Sequence, residues 1–123
     1  MKLLLDSHIL LWYADADLRL GEVAAQRIRS AEELHFSAAS IWELTLKMHA
    51  GKLAARDVQV LALRLGCKLL PVTPDHAGAV LRLPRIHSDP FDHLLLAQAG
   101  LEQLTLVTHD KVLAQYGVPV LIV

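Results

Sequence analysis

At 123 residues the chain falls in the commonest size range of one compact domain, and it is too short for two ordinary ones. Apolar residues make up 54% and aromatic residues only 5%, which predicts an aliphatic core and surplus apolar surface for an oligomer or a partner to cover. The formal charge of −1 excludes the broad basic excess of many nucleic-acid binders, and the single cysteine, Cys67, excludes an internal disulfide or a cysteine-rich zinc site and reads as a buried thiol.

The apolar start is interrupted by Asp6 and His8, so it forms neither a signal peptide nor a membrane span, and a cytoplasmic protein is expected. Residues 2–5 predict a strand and 7–14 a short helix. A helix is expected over 22–31, a strand over 34–37, and a mostly buried helix over 38–50 that ends at Gly51. Another helix over 58–65 stops at Gly66. Residues 69–72 read as a strand, and 75–83 as a helix opened by Thr73-Pro74 and closed by Pro84. An apolar helix over 90–101 carries Asp89 at its cap and Gly100 near its end. The strand 105–108, a helical turn over 111–116 and a strand over 118–123 complete the chain. Strands alternating with helices predict an α/β fold, a mostly parallel sheet with helices on both faces, in a single domain over 1–123.

In such a sheet the positions just after each strand gather along one edge, where the sites of open α/β folds lie. Here those positions are acidic. Asp6 follows the first strand, Asp110 follows the strand 105–108, and Glu43 lies in the helix after the second strand. Asp92 reaches the same edge because its helix runs back against the strand it feeds, and about twelve helical residues cover roughly 18 Å. Each acid also has a local reading. Asp6, Asp89 and Asp110 resemble N-caps, and Asp92 the acid of a helix first turn. Ser40 to Glu43 fits a capping box, although Ser37 is the better cap if the helix starts earlier. Together, however, converging like charges raise one another's pKa unless a cation neutralises them. Carboxylates without a His or Cys requirement suit Mg²⁺ or Mn²⁺, ions that accept phosphate oxygens and support phosphodiester hydrolysis.

The segments Leu3-Leu-Leu-Asp6-Ser7-His8, Ser37-Ala-Ala-Ser40-Ile-Trp42-Glu43, Asp89-Pro90-Phe91-Asp92-His93 and Leu106-Val107-Thr108-His109-Asp110 resemble, in order, the successive motifs of PIN-domain nucleases, and most closely those of VapC-type toxins. The resemblance implies a PIN-like α/β/α sandwich, an endoribonuclease of a toxin–antitoxin pair. It implies Asp6, Glu43, Asp92 and Asp110 as the acidic quartet, Asp6 and Asp92 as direct metal ligands, and Ser40 and Thr108 as polar supports. It further implies an RNA substrate, a cognate antitoxin whose segment lies along the chain, and a homodimer or a toxin–antitoxin hetero-oligomer. His93 stands where similar sequences often carry Arg.

Asp89 reads as a cap, and His8 and His109, which flank the acids, as structural or solvent groups. Trp12 and Trp42 read as core or interface anchors. Lys47, Lys52, Arg56, Arg82 and Arg85 fit RNA phosphate contacts and solvated helix faces equally. Alternative functions are a housekeeping RNA-processing nuclease without an antitoxin, or a catalytically silent PIN-like binding module. An aspartyl-phosphate phosphotransferase ranks lower, because Asp6-Ser7-His8 lacks a second Asp two residues on.

Overall fold

The computed structural model describes residues Met1–Val123 throughout. Five strands, β1 (Lys2–Leu5), β2 (Glu33–Ser37), β3 (Cys67–Leu70), β4 (Thr105–Thr108) and β5 (Val120–Ile122), form one sheet in the order β3-β2-β1-β4-β5. All four pairings are parallel, so the expected mostly parallel sheet is wholly so. Six α-helices connect them: α1 (Ser7–Ala14), α2 (Glu22–Arg29), α3 (Ala38–His49), α4 (Val58–Arg64), α5 (Pro74–Ala79) and α6 (Pro90–Glu102). Two 3-10 helices, Val80–Arg82 and Lys111–Tyr116, complete the connections. No helix is long and apolar enough to cross a membrane.

The leucine run at the start forms the middle strand because a parallel strand covered on both faces needs apolar residues at every position. Leu3, Leu4 and Leu5 are fully buried. Their alternation divides them between two cores. Leu3 and Leu5 pack with Ile9, Phe36, Leu44 and Ala62, whereas Leu4 packs with Leu95, Leu96, Ala99 and Leu106. One layer is thus covered by α1, α2, α3 and α4, the other by α6, which gives the α/β/α sandwich. Cys67 is buried as expected, and burial pushes its thiol up to about 11.

The element ends differ from the expected ones for local reasons. β3 starts at Cys67 because its ladder with β2 runs from Leu34↔Cys67 to Ser37↔Leu70, and Pro71, with no N–H, ends it. The helix after Pro74 tightens into 3-10 form at Val80, then stops where Pro84 holds Leu83 extended. α6 runs through Gly100 and turns at Gln103, which takes the left-handed conformation at φ 57°, so that the Leu104 N–H can bond the Ala99 carbonyl at 3.0 Å.

The chain builds outward from β1 through β2 to β3, then crosses back to place β4 on the other side of β1. The β1–β4 junction is therefore the topological switch point, whose carboxyl edge is where ligands bind in open α/β sheets.

Candidate functional site

The register of β1 and β4 sets the first part of the site. Leu5 pairs with Val107, and the Asp6 N–H continues the ladder to the Val107 carbonyl at 3.0 Å. Asp6 is thus the first residue beyond β1, beside Thr108 at the end of β4. One oxygen of Asp6, Oδ1, accepts the Ser7 N–H at 2.6 Å and caps α1. The other, Oδ2, accepts the hydroxyl of fully buried Thr108 at 2.8 Å. The Thr108 oxygen in turn accepts the Asp110 N–H at 3.2 Å. Asp110 caps the 3-10 helix Lys111–Tyr116 through the Val112 N–H at 3.1 Å. The capping role and the convergence of acids hold together, since a carboxylate has more lone pairs than a single cap consumes.

Asp89 behaves as the expected cap of α6, its Oδ1 accepting the Phe91 N–H at 2.9 Å and the Asp92 N–H at 3.4 Å. This fixes Asp92 in the first turn, with a side chain only 14% exposed. The Asp92 carboxyl is pushed up to about 6, chiefly by burial and further by the charges of Asp89 and Asp6, against the opposing hydrogen bond from His87. One oxygen of Asp92, one of Asp110 and a ring nitrogen of His87 all lie within 4.8 Å of one another.

Glu43 is half-buried on α3 and joins the group indirectly. The Ser7 hydroxyl donates to Glu43 Oε1 at 2.5 Å, while the Ser7 N–H serves Asp6, so one buried serine ties the two acids together. Ser40 is buried one turn earlier, and its hydroxyl has no hydrogen-bond partner, so no hydrogen bond links it to the acids. Ser37, not Ser40, caps α3 through the Ala39 N–H at 3.0 Å. Its hydroxyl donates to the buried Gln98 Oε1 at 2.6 Å.

Sequence reasoning missed His87, Tyr116 and Ser7. His87 lies in the segment between Pro84 and α6. Its backbone N–H donates to the Tyr116 hydroxyl at 2.9 Å, its Nδ1 bonds the same oxygen, and its Nε2 meets Asp92 Oδ2 at 3.0 Å. Tyr116 comes from the far end of the chain, so no spacing within a motif announces the pair. His93 points its Nε2 to the Tyr116 hydroxyl at 3.3 Å. His8 and His109 are exposed and flank half-buried Trp12, over which Arg19 stacks at 5.0 Å. Trp42, expected as an anchor, is 59% exposed and packs edge-on against Phe91. Arg56 is held by Asp15 at 3.0 and 3.1 Å, which favours the solvated-face reading for that cation.

A cleft of about 730 Å³ opens over Asp6 and Asp110, lined also by His8, Trp12, Thr108 and Lys111 among others. A second, of about 510 Å³, is lined by Arg85, His87, Ser88 and His93. The donor set of His87, Asp92 and Asp110 fits a divalent cation: carboxylate oxygens predominate, and burial beside like charges already disfavours the ionised form of Asp92. A cation there would relieve that penalty.

The profile of the PIN domain family matches residues 3–119. Ribonuclease VapC22 of Mycobacterium tuberculosis is 31% identical over 121 residues, 94% of this chain and 92% of that protein. Among solved structures, VapBC2 of Rickettsia felis bound to a promoter DNA fragment has a chain that superposes at a TM-score of 0.73 with 13% identity, over 100% of this chain and 99% of that one. DNA-bound VapBC of Salmonella typhimurium gives 0.71 with 16% identity, over 99% and 98%.

Proposed function

This chain belongs to the PIN domain family, and on that premise we propose that it is a Mg²⁺- or Mn²⁺-dependent endoribonuclease, the toxin of a toxin–antitoxin pair. It hydrolyses RNA phosphodiester bonds in the cytoplasm as a single nuclease domain. The observation that carries this reading is the gathering of Asp6, Asp92 and Asp110 at the carboxyl ends of β1 and β4, with Asp92 pushed up to about 6 by burial and by neighbouring carboxylates.

Asp6 and Asp92 are the direct metal ligands of this proposal, with Asp110 and Glu43 completing the acidic quartet. Held by these carboxylates, a divalent ion would neutralise them and would supply an activated water and charge stabilisation at the scissile phosphate. The protein's own residues hold that arrangement in place. Thr108 donates to Asp6 and receives Asp110, so a single buried hydroxyl spaces two acids. Ser7 couples Glu43 to Asp6. Asp89 anchors the helix turn that carries Asp92. Ser40, buried in α3 one turn before Glu43, is the remaining polar support of this proposal. The cleft over Asp6 and Asp110, edged by Lys111, Trp12 and the exposed histidines, gives an RNA strand cationic and aromatic neighbours beside the acids.

Partner binding has its own support. One structure of similar fold is a toxin–antitoxin complex from Klebsiella pneumoniae, and this chain leaves Trp42 59% and Leu46 42% exposed one turn apart on α3. A cognate antitoxin covers apolar surface of this kind, in a homodimer or hetero-oligomer. The deciding experiment is RNA cleavage by the purified, antitoxin-free chain with Mg²⁺, with Mn²⁺ and with excess chelator. Cleavage with either ion and none with chelator is expected; undiminished cleavage in chelator rejects the reading.

A further inference from the structure

The acids do not converge alone. His87 brings a ring nitrogen within 4.8 Å of oxygens from both Asp92 and Asp110. Two atoms that share a divalent ion at about 2.1 Å are at most about 4.2 Å apart, so a small closure makes these three a set of ligands. His87 is also held as a metal-binding histidine is. Such residues engage their second ring nitrogen with a neighbouring group, which fixes ring orientation and tautomer. Here Nδ1 bonds the hydroxyl of Tyr116, which also takes the His87 backbone N–H at 2.9 Å. The residue is thereby held through both its backbone and its ring, with Nε2 aimed at Asp92 Oδ2, 3.0 Å away.

The Tyr116 hydroxyl has one proton and two bonding neighbours besides the backbone N–H, His87 Nδ1 and His93 Nε2. It is satisfied in two ways. In one, it donates to His87 Nδ1 and accepts from His93, leaving the His87 Nε2 proton to bond Asp92. In the other, it accepts from His87 Nδ1 and donates to His93, and His87 Nε2 turns a lone pair toward the carboxylates. The total number of protons is the same. The second arrangement places a nitrogen and carboxylate oxygens face to face with nothing to share, which is the arrangement a cation completes.

Resting on the metal-dependent reading above, we propose that His87 Nε2 is a nitrogen ligand of the ion held by the acidic cluster, and that it biases the site toward Mn²⁺ over Mg²⁺. Among first-row transition-metal ions Mn²⁺ holds imidazole nitrogen least strongly, yet it accepts that donor more readily than Mg²⁺, which prefers oxygen donors and keeps its waters, so the nitrogen discriminates between these two ions. Tyr116 is then a positioning residue, acting through His87.

The test is electron spin-echo envelope modulation on the full chain loaded with Mn²⁺, with calorimetric titration of Mn²⁺ and Mg²⁺. The parent should show nitrogen coupling to Mn²⁺ that persists in His93→Asn and vanishes in His87→Gln. Mn²⁺ affinity should fall about 10-fold or more in His87→Gln, and Mg²⁺ affinity distinctly less. Tyr116→Phe should weaken Mn²⁺ binding while retaining some coupling. Absence of nitrogen coupling in the Mn²⁺-loaded parent overturns the proposal, as does coupling that survives His87→Gln or an equal loss of both ions. The parent spectrum decides even if a variant folds poorly. Failure of the underlying reading looks different: Asp92→Asn would then bind Mn²⁺ as the parent does, or the parent would not bind it at all.

Discussion

Asp92 occupies the first turn of α6, where unpaired backbone N–H groups ordinarily favour a carboxylate and hold its pKa down. Its carboxyl is nevertheless pushed up to about 6, because burial and the charges of Asp89 and Asp6 outweigh the bond from His87. A residue placed only to favour the helix would not be left in such company. Asp92→Asn keeps the shape and removes the charge. It should lower RNA cleavage by more than about 100-fold, as expected for loss of a metal ligand, while the melting temperature without metal stays level or rises because repulsion is relieved. Near-parental cleavage with an unchanged Mn²⁺-induced melting shift would return Asp92 to the role of a helix-end charge. Thr108 makes a complementary case. Its hydroxyl donates to Asp6 and accepts from Asp110 while fully buried, so Thr108→Val leaves two polar groups without their partner, at a cost of about 1–3 kcal/mol. Thermal unfolding and Mn²⁺ titration should both show the loss, and Thr108→Ser should restore both. Unaltered Mn²⁺ affinity in Thr108→Val would mean that the hydroxyl supports the fold but not the site.

Among the elements, α6 carries the most of the site, and its start shows how capping and chemistry share residues. Asp89 bonds the N–H groups of Phe91 and Asp92, and its charge also raises the Asp92 carboxyl. Asp89→Ala and Asp89→Ser both remove that charge, but only serine can still cap. Asp89→Ala should therefore lose about 1 kcal/mol relative to Asp89→Ser, read from denaturant midpoints. Equal stability of the two would show that the cap bond contributes nothing. This pattern was legible in the sequence because Asp-Pro before an apolar helical run has a local cause. The acids after β1 and β4 were legible for a similar reason: parallel strands deliver their next residues to one edge. The end of β3 was not, since it is set by pairing with Ser37 and by Pro71, a tertiary constraint on an apolar run that reads equally well two residues later. His87 stayed hidden because its meaning depends on Tyr116, 29 residues away, and on α6 turning Asp92 toward it. Trp42 was expected as a core or interface anchor and is not in the core, because periodicity gave no means to tell a side chain facing the core from one left exposed against Phe91.

At the scale of the whole molecule, the site sets a conflict between folding and function that pH should expose. An unfolded chain gives an aspartate its ordinary pKa of about 3.9, whereas folded Asp92 lies near 6. Between those values the native state binds the proton that the unfolded state releases, so metal-free stability falls as pH rises through that window. The shift corresponds to at most about 3 kcal/mol. Other acids act in the opposite sense but lower down. Asp17 is held at about 2 by Arg19, and Glu33 is lowered by His35 and Lys68; their contributions are present above the unfolded values and are lost as pH falls. Subtracting the pH profile of Asp92→Asn from that of the parent removes these contributions, whose partners do not include Asp92. Without metal, the parent's advantage over the variant should shrink, or its deficit grow, from about pH 4 to about pH 6, then level off. Saturating Mn²⁺ should invert the trend, because the ion competes with the proton for the same carboxylate and stabilises the native state more as that proton leaves. Melting temperatures of both proteins, taken across this range with chelator and with Mn²⁺, measure both halves. A difference curve that is flat with chelator would mean that Asp92 titrates alike in the folded and unfolded chains. One that keeps its downward slope in Mn²⁺ would mean that no ion meets this carboxylate.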